Sequence, residues 1–312
     1  MTVSAMLKVA IVQAAPVFMN LEASLTRALK LIHEAAAEGA RLIVFGETWL
    51  PGYPAWLDHC PNAALWNHEP TKEVYAELRR NSLSIQSNEA QRLAKVAADH
   101  HVVLTIGVNE RVDEGPGNGT LYNSLLTFNA DGSLLNRHRK LIPTYTERLV
   151  WGQGDGDGLK AADTSVGRVG GLICWEHWMP LARQVLHDSG EHIHIAVWPT
   201  VHEMHQIASR HYAFEGRCFV LAAGLLMKVR DIPAQLPVTS DLSDKPDHLL
   251  LRGGSAIIGP DGSYVVEPVF DEERILIAEL DLKAVDKEGM TLDVSGHYQR
   301  GDLFHLKVRS IQ

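Results

Sequence analysis

The sequence predicts an α/β fold: one domain of mixed sheets with helices packed against them. Three observations lead there. Short apolar runs of strand length alternate with stretches whose apolar residues recur at helical spacing. Two Asp-Gly pairs, Asp131-Gly132 and Asp261-Gly262, sit between apolar runs as turn signals. The longest apolar runs are strand-length, so no membrane-spanning helix is expected.

The elements follow in order. Residues 7–13 (LKVAIVQ) read as a buried strand. Asn20 is suited to cap a helix, and Leu21, Leu25, Ala28, Leu29 and Ile32 then recur on one face until Gly39. Residues 42–45 form the next strand, 87–100 a helix and 102–108 a strand. A hairpin is expected from 123–128 through Asp131-Gly132 to the strand starting at Leu134. Residues 169–173 run as a strand into Cys174, and Pro180 is placed for the first turn of a helix through His187. Further strands are expected at 193–198, 219–226, 255–258 and 274–281. Residues 230–249 are polar and acidic and hold three prolines, which predicts an exposed loop. Nothing divides the chain, so early strand–helix alternation and later hairpins point to one α/β domain.

The 312 residues are 46% hydrophobic, enough for a sizeable core. With 29 basic and 38 acidic residues the net charge is −9, so no nucleic-acid or anionic-membrane partner is expected. Three cysteines, Cys60, Cys174 and Cys218, are too few and odd in number for a disulfide framework. The N-terminal MTVSAMLKVAIVQAAP lacks a basic region followed by a long apolar stretch, so a cytoplasmic protein is expected. Sixteen histidines raise the question of a metal. His192 and His194 alternate on a predicted strand, and His202 and His205 are three apart rather than four. Neither pair has a completing ligand, so no metal and no other cofactor is expected. GQGDGDG, with Gly154, Gly156 and Gly158, fits neither a dinucleotide nor a phosphate loop and reads as a flexible turn.

Three predicted strand ends carry reactive groups: Glu47 in LIVFGETWLPGYP, Lys140 in LLNRHRKLIPTYTERLVWGQGDG and Cys174 in VGGLICWEHWMP. In open α/β sheets ligands collect beyond the carboxyl ends of strands. Singly, a cysteine there is usually a small core residue and a Glu or Lys is usually solvated; the joint occurrence is what counts.

FGETWLPGYP, HRKLIPTYTERLVWGQGDG and CWEHWMPLAR resemble the three catalytic signatures of the nitrilase family within the carbon–nitrogen hydrolases. Their order matches, with spacings of 93 and 34 residues, and the resemblance runs from VAIVQAAP to GHYQRGDLF. CWEH, rather than the CYD or CFD of amidase branches, is closer to the nitrilase branch. The resemblance implies an α-β-β-α sandwich over residues 1–312, with 296–312 as a short assembly tail. It also implies homodimers or larger homo-oligomers. The short tail and Gly301, where the family usually has Pro, argue against long spirals. The resemblance further implies that Glu147 is a fourth site residue orienting Lys140 and water. Tyr53, Trp175, His177, Trp198 and Thr200 lie near the motifs and are candidate substrate-binding residues.

The chemistry suits these residue types. A thiolate, not a thiol, is the useful nucleophile toward a nitrile carbon. Glu47 is placed as the base that frees it. Lys140, helped by a backbone N–H such as that of Trp175, meets the negative charge developing on nitrogen. Thioimidate, ammonia loss, thioester and carboxylic acid follow in turn. The expected function is hydrolysis of an organic nitrile; the runner-up is an amidase or N-carbamoyl hydrolase using the same Glu, Lys and Cys. TYTERLVWGQGDG is closer to aliphatic or arylaceto-type relatives than to the benzonitrile group. A thiol redox protein would want a resolving Cys in C-x-x-C spacing, which Cys174 lacks, and a non-catalytic scaffold would have no need of the intact set. Cys174→Ala and Cys174→Ser are therefore expected to abolish or nearly abolish turnover with the fold intact, whereas Cys60→Ala and Cys218→Ala keep most of it. Acid formation by pure Cys174→Ala protein, followed by chromatography, is the contrary result.

Overall fold

The computed structural model describes residues 6–309. The start of the N-terminal segment, residues 1–5, and the end of the tail, residues 310–312, lie outside the described residues. The strands are β1 (Met6–Gln13), β2 (Leu42–Phe45), β3 (Val103–Arg111), β4 (Leu121–Phe128), β5 (Leu134–Arg139), β6 (Ala162–Thr164) and β7 (Gly167–Ile173). They continue with β8 (Ile193–Val197), β9 (Phe219–Ala223), β10 (Leu226–Lys228), β11 (Leu249–Ile258), β12 (Tyr264–Phe270) and β13 (Arg274–Asp281). The helices are α1 (Leu21–Ala37), α2 (Trp56–His59), α3 (Glu69–Arg80), α4 (Asn88–His100), α5 (Pro180–Asp188), α6 (Glu203–Gly216) and α7 (Lys283–Gly289).

Two mixed sheets result. The first runs β13-β1-β2-β3-β4-β5, with β1, β2 and β3 parallel. The second runs β10-β11-β9-β8-β7-β6, with β7, β8 and β9 parallel and β12 added on β11. The two-residue period of a strand sends its side chains to opposite faces. In β1, Ala10 and Val12 join a core with Leu25, Ala28 and Ile32 of α1 and Leu93 of α4. Val9 and Ile11 instead join the core between the sheets, with Ile195, Val197 and Leu221. Ala182 and Leu186 of α5 and Ala208, Tyr212 and Ala213 of α6 cover the far side of the second sheet. The layers are thus helix, sheet, sheet, helix, the sandwich that the sequence resemblance implied.

Caps explain why the helices start where they do. Asn20 accepts from the Ala23 N–H at α1, and Ser87 does the same from Ala90 at α4. Three expectations need correction. The strand read at 219–226 is two: β9 ends at Ala223 and pairs with the far end of β11, and β10 starts at Leu226 and pairs with its near end. The 255–258 strand extends back to Leu249 through Gly253 and Gly254, both at positive φ, where the ladder to β12 shifts register. His192 lies one residue before β8 and its ring accepts from the Arg168 N–H, whereas the His194 ring meets Glu191 and His177, so the two share no site.

GQGDGDG is not a free turn either. The Gly154 N–H donates to the Lys140 carbonyl at 2.8 Å, and an added Cβ on Gly154 would stand 2.2 Å from the Arg139 carbonyl oxygen. The glycines let this segment lie directly along β5.

β3 makes a similar allowance. A Cβ on Gly107 would stand 2.3 Å from the Gly46 carbonyl oxygen and 2.5 Å from the Thr48 nitrogen. Both atoms are backbone and flank Glu47. Gly107→Ala is therefore expected to push the Glu47 segment away, lowering stability by about 1–3 kcal/mol, as overpacking does, and lowering activity as well. Thermal denaturation and steady-state rates measured together check this; an unchanged rate contradicts it.

Candidate active site

β2 delivers Glu47 fully buried beyond its carboxyl end. Its Oε1 accepts from the Asn123 side-chain amide at 2.7 Å and from the Lys140 ammonium at 3.0 Å. Its Oε2 is buried and has no protein partner. One oxygen is thereby tied down and the other left open to take a proton.

Lys140 follows β5 directly, and its backbone N–H donates to the Asn123 carbonyl at 2.8 Å. Asn123, on β4, therefore fixes Glu47 with its side chain and Lys140 with its backbone. The Lys140 ammonium also donates to both oxygens of Glu147, at 3.0 and 2.7 Å. Glu147 sits in a short turn over Tyr145–Leu149, where it accepts from the Thr144 N–H at 2.6 Å and the Tyr53 hydroxyl at 2.8 Å.

Cys174 comes off the end of β7 at φ +54°, in the left-handed region that a side chain rarely occupies. A tight turn over Cys174–Trp178 follows, then α5. Such strain persists only where its surroundings fix it. Glu176 is one such support. It accepts from the Ile173 N–H and the Leu141 N–H, each at 2.7 Å, and pairs with His138 at 2.8 Å. It ties the turn that carries the nucleophile to the strand end that carries the lysine.

The charges set the proton affinities. Burial raises Glu47 to about 7; Lys140 opposes this and the nearby Glu147 adds to it. Burial disfavours the Lys140 cation, but Glu47, Cys174 and Glu147 outweigh burial and hold it charged. Burial and then Glu47 push the Cys174 thiol well up, while Lys140 and the Trp175 N–H pull it down. The thiol is thus protonated at rest and stands by a base poised near neutrality, the arrangement wanted for proton transfer on attack.

A cavity of about 980 Å³ opens over Cys174. Cys174, Glu147, Tyr53, Trp175 and Thr200 line it, while Glu47 and Lys140 lie buried beneath. Two expected substrate contacts are corrected: His177 and Trp198 do not reach the cavity. They stack on each other behind the turn, with ring centroids 4.6 Å apart. Tyr53 is held by Glu147, which makes it a support for that carboxylate as well as a wall. The sequence reading missed Asn123 and the role of Glu176. Asn123 looks like any polar residue in a hairpin; Glu176 was visible only as one letter of CWEH. Among the described residues no group of three or more His, Cys, Asp or Glu is arranged to hold a metal.

A buried carboxylate, ammonium and thiol gathered at the strand ends of two sheets are the residue set that a cysteine hydrolase with an acid–base partner requires. The carbon–nitrogen hydrolase family model matches residues 8–287. The chain is 39% identical to an aliphatic nitrilase of Sinorhizobium fredii (strain HH103), over 96% of this chain and 95% of that protein. It is 35% identical to a bifunctional nitrilase/nitrile hydratase of Lupinus angustifolius, over 96% and 85%. The crystal structure of a carbon–nitrogen hydrolase from Helicobacter pylori G27 shares the fold, with a TM-score of 0.68 at 20% identity, covering 95% and 96% of the two chains. The chain belongs to the carbon–nitrogen hydrolase family, in its nitrilase branch.

A pH consequence follows from Glu47. A base acts only when ionised, and the affinity of Glu47 is centred at about 7, so with Glu47 as base kcat/KM is expected to fall as pH drops through that value. The Asn123 hydrogen bond favours the ionised form. In Asn123→Ala the acid limb is therefore expected to move to higher pH, read from kcat/KM profiles. A shift to lower pH contradicts the assignment.

Proposed function

We propose that the protein hydrolyses an organic nitrile to the carboxylic acid and ammonia, using Cys174, Glu47, Lys140 and Glu147. The observation that carries this reading is the single open oxygen of Glu47, Oε2, in a site whose other carboxylate oxygens are occupied. That oxygen takes the thiol proton as Cys174 adds to the nitrile carbon. The proton passes to the substrate nitrogen, giving a thioimidate whose developing charge meets Lys140 and the Trp175 N–H. A first water gives one proton to Glu47 and adds; that proton and then the hydroxyl proton of the tetrahedral species pass through Glu47 to nitrogen, ammonia leaves, and a thioester remains. A second water releases the acid and restores the thiol. If the first tetrahedral species expels the thiol instead of ammonia, the product is the amide, the reaction named for the lupin relative.

The cavity wall is mostly apolar around Ile142, Trp175, Trp178, Met179 and Leu250, which supports an organic nitrile rather than cyanide. We further propose one hydrolase domain over residues 1–312 that works as a homodimer or larger assembly, with 296–312 as an assembly tail. Exposed Leu181, Met204, Ile207 and Phe214 on α5 and α6 support such a contact. We place it in the cytoplasm, supported by three buried free cysteines.

The test is ammonia, acid and amide release across a panel of nitriles and amides. Glu47→Gln is expected to cost at least about a hundredfold, the scale for a positioned base. Glu147→Gln keeps the oxygen that faces Lys140, so it is expected to retain more activity and to leave a covalent adduct visible by mass spectrometry. Normal turnover by both variants defeats the site. No activity on any nitrile or amide defeats the function.

A further inference from the structure

Behind the nucleophile turn lies a buried run of polar side chains that none of these steps uses. The His177 Nδ1 stands 2.7 Å from the Cys174 carbonyl oxygen. The His177 Nε2 stands 3.0 Å from the His194 Nε2, and the His194 Nδ1 stands 2.9 Å from the Glu191 Oε2. The Tyr212 hydroxyl donates to the other Glu191 oxygen. From α5, Arg183 pairs with Glu215 and donates to the His177 carbonyl at 3.1 Å. His177 stacks on Trp198 and His194 on Tyr212. His177, His194, Glu191 and Tyr212 are 2%, 0%, 4% and 0% exposed, so water cannot substitute for any of these bonds.

The bonds have one consistent direction. A carbonyl oxygen only accepts, so the His177 hydrogen is on Nδ1. Burial, and after it His194, holds the His177 imidazole well below its ordinary range, so the ring is neutral and its Nε2 is a lone pair. It accepts from the His194 Nε2–H. The His194 Nδ1 then faces Glu191; burial would raise that carboxyl, but His194 and His187 hold it low, at about 2, so Glu191 is an ionised acceptor there. Two neutral rings supply only two of the three hydrogens these bonds need, and the Glu191 carboxylate is what favours the third, on the His194 Nδ1, against burial. His177 cannot change tautomer without breaking two buried bonds.

What His177 holds is half of a peptide group. The Cys174 carbonyl and the Trp175 N–H belong to one planar, trans unit and point to opposite sides of it. Fixing the carbonyl aims the N–H. That N–H acts on the Cys174 sulfur and favours the thiolate. The backbone here is also the strained one, with Cys174 at φ +54°. We propose that His177, held in one tautomer by His194 and Glu191, is a positioning residue that aims the Trp175 N–H at the reacting sulfur and at the nitrogen of the bound substrate. The part concerning the substrate nitrogen rests on the function proposed above; the part concerning the sulfur does not.

The experiment measures the pH profile of Cys174 alkylation by iodoacetamide, read by mass spectrometry of the Cys174 peptide, together with kcat and KM for a nitrile that yields ammonia. The groups facing the sulfur from other elements, Glu47, Lys140, Glu147 and Tyr53, stay unchanged in every variant. His177→Phe keeps the ring and removes the donor. It is expected to raise the alkylation midpoint and to lower kcat by about ten- to a hundredfold, with KM changed less than about twofold, since losing a whole oxyanion donor costs about 10²–10³. His177→Asn places an amide nitrogen near the Nδ1 position and is expected to recover most of both. Glu191→Ala is expected to raise the midpoint too, and Glu191→Gln, which offers His194 an N–H and Tyr212 a carbonyl, to recover it. If His177→Phe fails to fold by near-UV circular dichroism, the Glu191 pair decides by the same readout. Alkylation profiles and kcat that coincide with the parent protein in His177→Phe, or in Glu191→Ala, overturn the proposal. If the parent protein releases ammonia from nothing, the nitrile reading falls, while the alkylation profiles still decide whether His177 aims the N–H.

Discussion

Lys140 is an ammonium 1% exposed, and its charge exists there only because two carboxylates meet it. Removing such an ion from water is expensive, and a buried pair that loses one partner is destabilised by roughly 3–5 kcal/mol. This single constraint organises the centre of the molecule. Glu147 is needed to hold the lysine, which frees Glu47 to share only one oxygen with it. Tyr53 and the Thr144 N–H are needed to hold Glu147. Burial, with Glu147 adding to it, brings Glu47 to about 7 against the pull of Lys140 and Asn123. The proton affinity of Glu47 is thus set by the same burial that makes the lysine need two carboxylates.

The three groups come from both sheets. Glu47 and Lys140 end strands of the first, and Cys174 ends a strand of the second. Apolar packing between sheets resists separation but is non-directional and gives little resistance to small sliding. Directional bonds must set the register. Glu176 supplies them by spanning from Ile173 to Leu141, and burial of its carboxylate is offset by His138 and two backbone N–H groups.

Much of this was legible in the sequence. The strand ends bearing Glu47 and Cys174 were, because buried strands are continuous apolar runs and the reactive residue interrupts each one; β5 is the polar, half-exposed LLNRHR, and Lys140 was legible only through the longer motif that follows it. The caps at Asn20 and Ser87 were legible for the same local reason. α6 was not: its buried face is Gln206, Ala208, Ser209, Tyr212 and Ala213, too small and polar to show a helical stripe. α3 hid because only Val74 and Leu78 are buried in it. β12 carries Pro268 and pairs on one edge only, where a missing N–H is tolerated. Asn123 and the run from His177 to Glu191 were illegible for another reason. Their meaning lies in distances between elements far apart in the chain, and no local pattern encodes a distance.

Glu47 offers one open oxygen, and that has a bearing on the order of events. An acceptor with a single vacancy is a turnstile: it admits one proton and admits no other until the first has gone. In the proposed reaction the thiol proton fills it, the substrate nitrogen empties it, and each water must find it empty. Ammonia there carries away the proton that the first water left, so it departs before the second water is called on, and the acid comes out last. The proposed order of product release is written into which carboxylate oxygen has no neighbour.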